Sequence, residues 1–247
     1  MQLAGRKEVE YNMAYDEKEV MDFMRLNIGI DGPVGAGKSS VADAVAERLG
    51  ILHLDTGAMY RALGLKAIQE EIDLQNEKEI TALCRRMDLK VSYGEKGQKT
   101  FLDGKDVSSM IRSPEVSMAA STVSRYADVR KMMVQKQQKL AHEQNMLLDG
   151  RDICTTVLPQ ATVKIYLTAS AEERARRRFL ELQAKGTEET YEEVLKQVNE
   201  RDFQDMHRPV EPLRQAEDAV LVDSTEMSFD QVVERILAVV EEKRHGC

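Results

Sequence analysis

The chain has 247 residues, of which 42% are hydrophobic and 32% charged, and its net charge is -8 at neutral pH. That length suits one large α/β domain, or a core with one inserted subdomain, and the acidic balance argues against a surface built as a nucleic-acid platform, so any local cluster of arginines stands out. The three cysteines, Cys84, Cys154 and Cys247, are widely spaced with no C-x-x-C pair, which disfavours a zinc or disulfide framework and fits a reduced cytoplasmic setting; no signal peptide and no apolar run near the roughly 20 residues of a membrane helix is present.

Residues 1–24 are polar and mixed in charge, and read as an extension. An upstream start codon before Met24 and a small appended helix both fit. Ile28 to Ser40, IGIDGPVGAGKSS, then places a short apolar strand, a glycine-rich loop and a helix start in succession. The loop Gly32-Pro33-Val34-Gly35-Ala36-Gly37-Lys38-Ser39-Ser40 carries the G-x-x-x-x-G-K-S spacing of a phosphate-binding loop. Its glycines let successive backbone N–H groups turn inward around a di- or triphosphate. Lys38 is expected to bridge the outer phosphates and Ser39 to hold Mg²⁺, both at the positive end of the following helix.

Val41, Ala44, Val45 and Leu49 form one helical stripe closed by Gly50. Ile51 to Leu54 is a short buried strand, after which Asp55 and Thr56 are natural caps for the next helix. Tyr60 and Arg61 then fall at the rim where strands end, the place at which open parallel sheets bind ligands. Helical pattern is expected through about Met87, and Leu89 to Tyr93 with Lys99 to Leu102 read as a small antiparallel insertion. Pro114 to Glu143 is expected to be helical, with Ser121, Arg125 and Arg130 in it. Met146 to Leu148 and Val163 to Leu167 read as buried strands, the first ending in Asp149-Gly150-Arg151-Asp152.

The next helix carries Arg174, Arg176, Arg177 and Arg178, and the i, i+3, i+4 spacing puts Arg174, Arg177 and Arg178 on one face. Beside a phosphate-binding loop this face reads as a phosphate clamp, the alternative being a solvated face offset by Glu172 and Glu173. Tyr191 to Met206 continues helical up to Pro209, with Arg201, Asp205 and Arg208 on one stripe. Ala219 to Val222 reads as a strand and Phe229 to Lys243 as an amphipathic helix. Strands alternating with helices imply a doubly wound parallel sheet of the P-loop NTPase type.

A phosphate-binding loop alone says only that a nucleoside triphosphate binds. An N-K-x-D motif of the switch GTPases is missing, whereas Arg61, Arg112, Arg130, Arg151, Arg201 and Arg208 fall at strand ends and helix starts. Such a set suits a second, anionic substrate and phosphoryl transfer, which needs positioning, Mg²⁺ and cations where charge spreads. GPVGAGKSS, LDTGAMYR, IRSPEVSMAAS, LLDGRDICTTVLP, EERARRR and ERDFQDMHRPVEPL, in this order, resemble the bacterial cytidylate kinases along essentially all of 25–247.

The resemblance implies transfer of the γ-phosphate of ATP to CMP or dCMP with Mg²⁺, by a monomer that binds neither nucleic acid nor membrane. It implies an inserted nucleoside-monophosphate-binding subdomain at about 60–130, its small antiparallel sheet near 87–104, and a helical lid at about 171–190. By motif position it implies that Arg61 and Arg151 grip the acceptor phosphate, that Thr56, Arg130, Asp152 and Arg208 surround the base, and that Ser121, Arg201 and Asp205 lie near the ribose. Arg177 and Arg178 fall in the lid, where with Lys38 and Arg151 they are the expected catalytic cations. Thr56 stands where some members have Ser. An Asp152 carboxylate accepting from the cytosine amine, with Arg130 donating to N3 or O2, would reject uracil; a structural partnership of Asp152 with Arg151 or with a nearby helix N-terminus is the alternative. A kinase for UMP, AMP or shikimate, and an ATP-switched RNA-binding protein, are the rival readings. His53, His142, His207 and His245 are expected at surface or packing positions, and Asp31 and Asp149 remain equal candidates for ordering Mg²⁺ through water.

Overall fold

The computed structural model describes residues 25–94, 97–184 and 186–245; the extension 1–24 and Cys247 lie outside them. The first strand, β1 (Asn27–Asp31), runs through the phosphate-binding loop into helix α1 (Lys38–Leu49), followed by β2 (Leu52–Asp55) and α2 (Thr56–Gln69). Helix α3 (Glu77–Arg86) leads to three short strands, β3 (Leu89–Gly94), β4 (Gly97–Leu102) and β5 (Lys105–Asp106), then a 3-10 turn at Met110–Arg112. Helices α4 (Pro114–Val123) and α5 (Ala127–Glu143) return the chain to β6 (Met146–Gly150), a π-helical turn at Ile153–Val157 and β7 (Val163–Thr168). The remainder is α6 (Ala171–Ala184), α7 (Tyr191–His207), β8 (Val220–Asp223) and α8 (Phe229–His245).

The long strands pair in parallel in the order β2-β6-β1-β7-β8. This is the doubly wound sheet expected from the alternation of elements, and β1 lies at its centre with strands of later chain position on both sides. Side chains alternate across it. Met146 and Leu148 enter a core with α2, α3 and α5, while Leu147 enters the opposite core with Ile28 and Ile30 of β1, Val41 and Val45 of α1, and Val232, Ile236 and Val240 of α8. On β1 the position between those isoleucines is Gly29, where a Cβ would sit 2.8 Å from Cys154 Sγ. A glycine there lets the π-helical turn lie directly on the strand.

Three sequence expectations change. The pattern expected to be helical through Met87 breaks after Gln69, where Glu71 takes a positive φ of 54°, and restarts at Asn76, whose side chain caps Glu79. The helix expected over 114–143 is interrupted at Ser124 to Tyr126, and Arg125 lies in that break. The Tyr126 hydroxyl donates to Leu74 O at 2.7 Å, so the interruption ties the α4–α5 joint to the α2–α3 loop. The antiparallel sheet has a third strand, β5, reached by the two-residue turn Asp103-Gly104 with φ of 50° and 80°, a pairing of left-handed residues suited to a tight hairpin.

Candidate active site

The phosphate-binding loop follows β1 and its glycines are used sterically. Gly32 has φ 154°, and a Cβ there would lie 1.9 Å from Leu167 O; Gly35 has φ 74° and rests against Arg174, which a Cβ would approach to 3.2 Å. Pro33, Val34, Ala36 and Gly37 complete the loop, and Ser40 lies exposed on α1. Lys38 is buried and folds back to donate to Pro33 O at 2.7 Å. Burial, and then the nearby Arg151, push its ammonium down to about 7 against the pull of Asp149, Asp205 and Asp31. A bound polyphosphate would reverse that balance.

The two candidate aspartates separate. Both Asp31 oxygens accept from the π-helical turn, from Ile153 N at 2.8 Å and Cys154 N at 2.7 Å, so this carboxyl serves the backbone. Asp149, at the end of β6, accepts the Ser39 hydroxyl proton at 2.8 Å, which leaves the serine oxygen free to face a cation. Its other oxygen pairs with His53 Nε2 at 2.8 Å, and His53 Nδ1 pairs with Asp43 at 2.6 Å. Burial lowers the imidazole, but the two carboxylates outweigh it and push His53 up to about 10. Burial opposes the Asp149 charge, yet His53, Lys38 and Ser39 hold it below the usual carboxylate range. His53 is therefore neither surface nor packing filler. Its signal in the sequence was a polar ring flanked by leucines in a buried strand, since a buried polar group requires partners.

The arginines expected to form a second pocket gather at two connected places. At the first, Arg61 Nη2 donates to Asp55 Oδ2 at 2.5 Å, Arg151 Nε to Asp205 Oδ2 at 2.7 Å, and Arg201 Nη1 to Ser117 O at 3.4 Å. Burial first, then Arg151, Arg61 and Arg178, push Arg201 down to about 10 against the attraction of Asp205. At the second, Arg130 pairs with Asp152, Arg208 Nη2 lies 3.3 Å from the other oxygen of Asp152, and Arg130 stands over the Tyr60 ring at 5.8 Å. The partner of Asp152 is thus Arg130 with Arg208, and Arg151 belongs to Asp205. Thr56 donates to Asp149 O at 2.7 Å, and Ser121 Oγ is 3.4 Å from Gln204 of α7. The Arg112 side chain makes no hydrogen bond or ion pair to another described residue, and the residue is exposed.

The shared face of Arg174, Arg177 and Arg178 is divided. Arg174 is buried, ion-paired with Asp202 at 2.7 Å and donating to Val34 O and Ala169 O at 2.9 Å each. It fastens α6 and α7 to the phosphate-binding loop and takes no part in a clamp. Arg177 donates to Glu173 and to Ser224 O, and Arg178 pairs with Glu181 at 3.3 Å.

Three guanidinium nitrogens, Arg61 Nε, Arg130 Nε and Arg201 Nε, are buried without a hydrogen-bond partner, while Arg208 Nη2 has only its ion-pair contact with Asp152. Buried donors left without acceptors are costly, which marks these arginines as candidate contacts for a ligand that carries acceptor atoms. The family model for cytidylate kinase matches residues 28–242. The chain is 48% identical to the cytidylate kinase of Caldicellulosiruptor bescii over 86% of its own length and 94% of the relative's. It is 50% identical to that of Desulforamulus reducens, covering 87% and 96%, and 45% identical to that of Bacillus subtilis, covering 89% and 98%. By sequence over nearly its whole described length, the chain belongs to the cytidylate kinase family.

Proposed function

We propose that the protein transfers the γ-phosphoryl group of ATP to CMP, and to dCMP, giving the diphosphate and ADP. The observation that supports this reading is the set of buried arginine N–H groups without a hydrogen-bond partner, on Arg61, Arg130 and Arg201, next to the Arg130–Asp152–Arg208 cluster. Gly32 to Ser40 receive the donor phosphates. Arg61 and Arg151, with Arg201 beside them, take the acceptor phosphate. Arg130, Asp152 and Arg208 meet the base next to Tyr60 and Thr56, and Ser121, Arg201 and Asp205 border the ribose. In this reading the protein acts on small molecules as a monomer, and the free, buried Cys84 and Cys154 fit the reducing cytoplasm. Among the described residues no helix is long and apolar enough to cross a membrane.

A phosphate oxygen of CMP is already deprotonated near neutrality, so its in-line attack on the γ-phosphorus needs no general base. Lys38 supplies charge at the donor phosphates, and Arg151 stands between donor and acceptor. Arg178 lies near enough to Arg201 to lower its proton affinity, and so is the lid cation closer to the pocket; Arg177 must leave Glu173 and Ser224 to join it. Ser39, its proton held by Asp149, fits a Mg²⁺ ligand, and that ion when bound neutralises the donor phosphates. Cytosine presents an amine to the Asp152 carboxylate, whereas uracil presents a carbonyl, and mispairing at a desolvated polar site costs on the order of 10⁴-fold in discrimination. Release of ADP measured with CMP, dCMP, UMP, AMP and shikimate tests the assignment. CMP is expected to exceed UMP widely, and Asp152→Ala to raise KM for CMP while leaving ATP binding intact. Equal use of CMP and UMP by the unaltered protein would refute the base pocket.

A further inference from the structure

Strand β2 is an edge of the parallel sheet, so its outward backbone groups have no neighbouring strand to pair with. At its last residue one side chain takes that place. Gln98 of β4 accepts from Asp55 N at 2.7 Å, and its amide nitrogen lies 3.4 Å from Asp55 O and 3.4 Å from Thr100 Oγ1. A primary amide presents one acceptor and a donor side by side, as a peptide unit does, and Gln98 thereby adds one rung to the sheet at a single residue.

Asp55 has two further duties. Its Oδ1 caps α2 by accepting from Ala58 N at 3.0 Å, and its Oδ2 holds Arg61 Nη2 at 2.5 Å. Space around this turn is tight, since a Cβ on Gly57 would lie 2.9 Å from Arg61 Nη1 and 3.1 Å from Asp55 Oδ1. Arg61 also keeps a buried Nε without a partner. Movement of the Asp55 backbone is therefore passed to the guanidinium. We propose that Gln98 is a positioning residue for the acceptor phosphate, acting through Asp55 to aim Arg61, so that the small antiparallel sheet contributes to acceptor affinity from outside the pocket. The proposal rests on the reading of Arg61 as a phosphate-binding residue.

Gln98→Met removes the amide while preserving length, and Arg61→Ala removes the group it acts on. Initial rates over CMP and ATP concentrations, calorimetric titration of CMP into nucleotide-free protein, and thermal melts are compared for both variants and for the double variant. Gln98→Met is expected to weaken CMP about tenfold in KM and in the direct titration, with KM for ATP and the melting temperature unchanged, and to add nothing in the Arg61→Ala background. Gln98→Glu, which keeps the acceptor for Asp55 N but sets a carboxylate oxygen against Asp55 O, is expected to recover little of the loss. If Arg61→Ala weakens CMP but Gln98→Met does not, the positioning role alone is overturned. It is equally overturned if the two losses multiply, or if KM for ATP rises and the melting temperature falls along with the loss of CMP affinity. If Arg61→Ala itself leaves CMP binding unchanged, the reading of Arg61 fails and the positioning role with it.

Discussion

The His53 bridge makes a prediction about how stability changes with pH. His53 is buried between Asp149 and Asp43 at 2.8 and 2.6 Å, and its proton affinity rises from 6.5 to about 10. A group whose folded pKa is raised stabilises fully below its unfolded value and loses that contribution as pH climbs through the folded one. Between pH 7 and 9 the folded protein keeps this proton and the unfolded chain does not, so the bridge weakens by about 2.5 kcal/mol over that interval. His53→Gln retains a hydrogen-bonding side chain without the charge. Lys38, lowered to about 7, contributes a slope of opposite sign, but it is present in both proteins and largely cancels in their difference. Urea unfolding at pH 7 and pH 9, analysed by linear extrapolation, gives that difference. The variant is expected to be clearly less stable at pH 7 and to approach the unaltered protein at pH 9. A stability gap of equal size at both pH values would show that His53 is not held as an imidazolium.

Two other substitutions test the donor side. Lys38→Ala is expected to lower kcat on the order of 10²- to 10³-fold, as removal of a preorganised donor does, with the melting temperature little changed; single-turnover measurement of ADP formation checks it. Arg174→Ala leaves Asp202 buried without its cation and is expected to cost about 3–5 kcal/mol in denaturant unfolding, with part of the loss recovered when Asp202→Ala is added. Absence of that recovery would mean that the two side chains are not energetically coupled.

What could be read in the sequence follows from where each constraint is local. The phosphate-binding loop was legible because its geometry demands glycine at particular residues; Gly35 and Gly37 hold φ of 74° and 81°, conformations that write themselves into the chain. The parallel sheet was legible from β-α alternation. The arginines could be named through the resemblance, but their partners could not, because Asp152 meets Arg130 of α5 and Arg208 beyond α7 only after the chain has folded. Arg174 illustrates the limit of spacing. Its helical face matched Arg177 and Arg178, yet the approach of Asp202 and Val34 turned it into a buried support. The helix interruptions near 70–76 and 124–126 were hidden for a related reason, as the Tyr126 to Leu74 bond that links them joins residues distant in sequence.

Helix α7 imposes a rule on chain length. Val198 faces the apolar cluster shared with α6 and Val34, Asp202 faces the phosphate-binding loop, and Arg201 and Asp205 face the arginine pocket. Each residue of an α-helix advances about 100° around its axis, so a one-residue insertion between Val198 and Arg201 would swing Arg201, Asp202 and Asp205 together away from their partners. The same insertion between Ala184 and Tyr191 leaves those angular relations unchanged. Length variation in this part of the molecule is therefore confined to the α6–α7 connection, and within α7 the spacing of residues is as constrained as their identity.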